Sequence, residues 1–206
     1  MAIDPLHAQP PQWAEAILRT LLRPEDRDSV TGDLLEEYRE AIVPALGAAA
    51  DFWYVRQVGW FLLRASWVWG ALVGGSLVVR YLFDTLIPVN DYLMRSRVLS
   101  YTIIAVCVLT AFRMTLHTQS AWAGVLTSLA AGTIGGLASI VGASIMLAIW
   151  HDPATLEQWR NSGGLGEAFV VVPLVMIAIG AVMGTAGALL AKGVFGSSSK
   201  RDFAEP

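Results

Sequence analysis

Four stretches of this 206-residue chain are long, apolar and almost free of charge: Ser66 to Ile87, Val98 to Leu116, Ala121 to Trp150 and Ala168 to Val194. Crossing a hydrocarbon layer about 30 Å thick takes about 20 apolar residues of helix. Inside that layer no water is available to satisfy backbone N–H and C=O groups, so each stretch is restricted to helix. The pattern predicts an all-α membrane protein, with an N-terminal cytoplasmic three-helix domain followed by a four-helix transmembrane bundle. The third stretch exceeds a perpendicular crossing and predicts a tilted helix or a break at its paired glycines.

Charge is placed accordingly. Only 15% of residues are charged and 55% are hydrophobic, against about 25% charged in a soluble domain. The densest charged block is Arg23 to Glu40. The chain divides into a disordered leader at 1–10, a helical domain at 11–64, the membrane domain at 65–195 and a disordered cytoplasmic tail at 196–206.

Within the helical domain, Trp13, Ala14, Ile17, Leu18, Leu21 and Leu22 recur at helical spacing. Pro24 ends that helix and opens a second, with Glu25, Asp26 and Asp28 at its positive dipole end. Pro44 and Gly47 mark the next break. Gly32 is expected where a neighbouring helix comes close. The third helix is rich in aromatic residues, as suits the headgroup layer, and leads directly into the first crossing.

Arg56 and Arg64 before the first crossing, Arg113 and His117 after the second, and Lys192, Lys200 and Arg201 at the end of the chain place those ends inside by the positive-inside rule. Arg95, Arg97 and Arg160 then fall outside, accompanied by Asp91, Asp152 and Glu157. The expected location is a bacterial inner membrane, multi-pass, with both termini cytoplasmic. The start lacks the apolar run of a cleaved signal.

Little in the sequence points to catalysis. His7, His117 and His151 are scattered, Cys107 is the only cysteine, and Gly163-Gly164-Leu165-Gly166 follows no strand pattern and reads as an outer loop. No enzyme activity, cofactor or metal is expected, and no cluster of cations suits a nucleic acid. Packing is signalled more strongly. Gly70 and Gly74, Gly132 and Gly136, and Gly180 and Gly184 each form a Gly-xxx-Gly pair for close helix contact, within the bundle or between copies. Arg80 and Asp84 stand one helical turn apart near the outer end of the first crossing and are read as a local ion pair. For the acidic block we expect Asp33 or Glu37 to pair with Arg56 and lock the helical domain, leaving Glu36 and Glu40 as a partner surface.

The residues Pro10-Pro11, Leu18, Leu21-Leu22, Pro24-Glu25, Gly32-Asp33-Leu34-Leu35-Glu36-Glu37-Tyr38 and Trp53-Tyr54-Val55-Arg56-Gln57-Val58 resemble the second type of permease prefix domain, found ahead of MacB-like ABC-transporter permeases. The resemblance covers about Gln9 to Trp60. It implies a cytoplasmic docking module and, as partner, an ABC-transporter permease or ATPase. The chain departs from those permeases after the first crossing, where about ten residues stand in place of a large extracytoplasmic domain. The expected function is thus an accessory or regulatory membrane protein associated with a permease. A small homo-oligomeric transporter or channel and a membrane signalling adaptor are the alternatives.

Overall fold

The computed structural model describes the backbone of residues 8–86, 92–149 and 167–202, and side chains within 8–83, 97–149 and 169–194. The Asp84 and Arg95 side chains, Arg160, His7, His151 and the glycine-rich segment at 163–166 lie outside these limits. All described regular structure is helical.

Helix α1 spans Gln12–Leu21 and buries Ala14, Leu18 and Leu21 along one face. It stops because Leu22 is extended and Arg23 to Asp26 form a turn around Pro24, in which the Asp26 N–H donates to the Arg23 carbonyl. Helix α2, Arg27–Glu37, continues through a widened π-turn at Tyr38–Ile42 into the short α3, Val43–Leu46. Of the two residues that mark the expected break, Pro44 does not interrupt the helix. Proline supplies no N–H and its ring crowds the carbonyl four residues earlier; the preceding π-turn, closed by the Val43 N–H on the Tyr38 carbonyl, accommodates both. The break falls at Gly47, the other residue named for it, whose φ of 52° is left-handed and favours glycine.

Helix α4 then runs without interruption from Ala50 to Leu86, 37 residues. The last helix of the N-terminal layer and the first apolar crossing are one rod, with no boundary at residue 64. Helices α5, Tyr92–Thr118, and α6, Ala121–Ile149, form a hairpin, and α6 is continuous through its glycines. A second π-turn, Glu167–Val171, precedes α7, Val172–Asp202. As at Pro44, a proline (Pro173) follows the π-turn by two residues. Helix α7 continues through Ser197 to Ser199, within the segment expected to be a disordered tail.

Among the described residues, four helices are long and apolar enough to cross a membrane. Their packing is inverted relative to a water-soluble bundle. On α6 the buried residues are almost all small, including Ala123, Gly124, Ser128, Ala131, Gly132 and Gly136. The large side chains Leu137, Val141, Ile145 and Ile149 point outward and are more than half exposed. In water such a surface would be expelled from the solvent; against lipid tails it costs nothing, and small residues inside let backbones approach.

The six paired glycines are consumed within the bundle. A Cβ on Gly70 would strike Ile134, and one on Gly74 would strike Ala138. On Gly132 it would overlap the Met176 carbonyl, on Gly136 it would meet Pro173, and on Gly180 and Gly184 it would meet Ser128. Helix α6 is therefore the hub, with α4 on one side and α7 on another. Ser128 also donates from Oγ to the Cys107 carbonyl of α5 at 3.1 Å, giving the hub a buried polar link to the remaining helix.

Candidate functional site: the N-terminal layer and its anchor

The layer formed by α1, α2, α3 and the start of α4 has its own core: Leu18, Tyr38, Val43, Ala50, Tyr54 and Val58, with Ala8 packed against them. The leader expected to be disordered through Pro10 is therefore ordered from Ala8. It is fixed by Arg39, whose Nε donates to the Ala8 carbonyl at 2.9 Å. At the centre, Tyr38 and Tyr54 meet edge to face with centroids 5.7 Å apart. The Tyr38 hydroxyl donates to Asp51 Oδ1 at 2.6 Å across the Gly47 turn. Burial, reinforced by the Asp51 hydrogen bond and charge, pushes the Tyr38 hydroxyl up to about 12. Burial also raises Tyr54, with Glu15 adding to the shift and Arg19 opposing it.

The layer is tied to the bundle by Arg27. Its Nη2 donates to the Thr118 carbonyl at 2.8 Å, and its Nε approaches the Leu22 carbonyl at 3.4 Å. Thr118 is the last residue of α5, and the next residue, Gln119, turns the chain in the left-handed region at φ 55°. The end of a helix leaves carbonyls unsatisfied and carries partial negative charge. A guanidinium is well matched to both, so Arg27 caps α5 from a different part of the chain.

This replaces the expected lock. Arg56, Asp33 and Glu37 are all exposed, and neither carboxylate forms an ion pair with Arg56. Exposed ions stay fully hydrated and gain little by pairing, whereas Arg27 finds a fixed acceptor at a half-buried seam. Gly32, expected at a close helix contact, has no atom within 4 Å of where a Cβ would stand. The sequence did hold a signal for Arg27: a cation in the first turn of a helix opposes that helix's own dipole and calls for a partner elsewhere.

The outer face of α2 and of the π-turn that continues it carries Asp33, Glu36, Glu37 and Glu40, every one exposed. The described ion pairs lie elsewhere, Arg19 with Glu15 at 3.2 Å and Arg23 with Glu25 at 3.8 Å. Arg80 is part-buried on α4; the backbone sets it one turn from Asp84. Among the described residues no group of three His, Cys, Asp or Glu side chains converges as a metal site. No known protein family, curated protein or solved structure shows significant similarity to the chain.

Proposed function

We propose that this chain is a non-enzymatic membrane adaptor, an accessory component whose N-terminal layer lies in the cytoplasm and docks a permease-type transport partner. The observation that carries this reading is the carboxylate face of α2 and the π-turn after it: four exposed acids with no ion-pair partner among the described residues, on a layer held fast by the apolar face of α1 and by Arg27. An anchored layer presents those charges in a fixed pattern, which suits a basic surface on another protein. The motif resemblance over Gln9 to Trp60 supports an ABC-transporter permease or its ATPase as that partner. The alternative of a pore assembled through the glycine faces is disfavoured, because those faces are already occupied by α4, α6 and α7.

The test is affinity purification of the full chain in mild detergent, alongside a variant carrying Asp33→Asn, Glu36→Gln, Glu37→Gln and Glu40→Gln. The wild type is expected to retain a transport component at low salt and release it as salt rises, and the variant to retain none. Equal recovery with the variant would remove the acidic face from the account. A lone homo-oligomer that conducts ions in liposomes, and stops conducting with Gly136→Leu, would replace the adaptor with a pore.

A further inference from the structure

One face of α4 is left open along its whole approach to the bundle. Phe52, Arg56, Trp60, Leu63, Arg64 and Trp67 follow one another at helical spacing, and all are exposed. The opposite face, with Tyr54, Val58, Ser66, Gly70 and Val73, is buried. Around Arg56, Gln57, Gly59, Trp60 and Leu63 the surface forms a shallow open groove of about 550 Å³. Its floor is made possible by Gly59, which has nothing within 4 Å of an added Cβ.

The depth of this groove follows from the register of the bundle. Helices α4 and α6 run parallel with a constant offset of 64, contacts joining residue 70 to 134, 74 to 138 and 78 to 142. Trp60 therefore stands level with Gly124, two residues from Trp122. Both tryptophans are strongly exposed, 61% and 71%. Paired exposed indoles at one level mark the headgroup region of a bilayer. Around that level the stripe carries guanidinium and amide at Arg56 and Gln57, indole at Trp60, then alkyl and aromatic surface at Leu63 and Trp67, with Arg64 one turn beyond Trp60, from where a long side chain reaches back toward the headgroup level.

We infer that this groove binds an anionic phospholipid, with its phosphate on Arg56, its glycerol region against Trp60 and its acyl chains along Leu63 and Trp67. Arg56 and Arg64 flank the groove, and among the described residues no carboxylate pairs with Arg56 despite the acids nearby in the chain. A guanidinium fork fits a phosphate in two directions, and two cations without an acid select a lipid of net negative charge. The proposal is independent of the adaptor reading, since it concerns α4 and not α2.

Native mass spectrometry of the full chain, titrated with phosphatidylglycerol or phosphatidylcholine, tests it. Phosphatidylglycerol is expected to occupy the wild type at lower concentration, and millimolar inorganic phosphate to leave that occupancy unchanged. Arg56→Gln should weaken phosphatidylglycerol about fivefold, the factor that corresponds to about 1 kcal/mol for each surface arginine at an anionic membrane. Gly59→Phe adds a ring at a position where a Cβ has nothing within 4 Å, so it fills the groove and should remove the preference, while Lys192→Gln should keep it. Equal binding of the two lipids, unchanged binding in Gly59→Phe, or competition by free phosphate would overturn the assignment. So would a dimer that Gly59→Phe dissociates, which would give the groove to a second copy.

Discussion

Arg27 is the residue whose removal should separate the N-terminal layer from the bundle without unfolding either. Replacing it with methionine keeps most of the stem and deletes the charge-assisted hydrogen bond to Thr118 at 2.8 Å. A hydrogen bond to a charged group contributes about 1.5–3 kcal/mol, and the favourable placement at the α5 terminus about 0.3–1 kcal/mol more. Two effects reduce the sum. The arginine is half-exposed, so water replaces part of the bond, and relieving its repulsion at the start of α2 returns about 0.3–0.5 kcal/mol. The net loss is about 1.5 kcal/mol, close to a tenfold change in the opening equilibrium of the layer. Hydrogen exchange on the detergent-solubilised protein reads this directly. Amides of α1 and α2 should exchange about tenfold faster, while α6 and α7 keep their protection. Arg27→Lys should fall between, because a lysine lacks the second arm directed at Leu22. Unchanged protection of α1 and α2 in Arg27→Met would refute the anchoring argument.

Two further outcomes follow from the packing and the tyrosine pair. Gly132→Ala places a methyl on the Met176 carbonyl and should lower thermal stability by about 1–3 kcal/mol. Gly75→Ala, with nothing within 4 Å, should be neutral or stabilising by up to about 1 kcal/mol, and detergent melts distinguish the two. Because the folded value for Tyr38 lies near 12, above the ordinary value near 10, its contribution is complete below pH 10 and is lost as pH rises from 10 to 12. That loss is about 2–3 kcal/mol. Protease resistance of the layer should fall across this window, and Tyr38→Phe should remove that part of the alkaline decline.

The membrane helices were legible because hydrocarbon imposes one length and one kind of backbone, and the sequence writes both as apolar runs. Close contact at Gly132 and Gly180 was legible for a related reason, since four-residue spacing puts small residues on one face whatever the partner. Whether that partner was internal could not be read, because it depends on which helices become neighbours. The docking charge was misassigned for a different cause. Periodicity says that Arg56 and Asp33 are polar but not which way each faces, and an exposed ion has little energy with which to choose a partner. Arg27 acts on a backbone carbonyl 91 residues away, and a carbonyl leaves no trace in a sequence. Pro44 was read as a stop by its ordinary steric effect, which the π-turn before it relieves.

Helix α4, finally, gives the protein a drive shaft. It is about 55 Å long at 1.5 Å per residue, one end set in the tyrosine core of the layer and the other in the glycine seam with α6. The helix is unbroken between the two ends, through Gly59 as well. A partner that twists the layer therefore twists Gly70 and Gly74 against Ile134 and Ala138, where there is no slack to absorb rotation. Torque applied to the layer reaches the bundle as a change in helix packing, through a single piece of backbone.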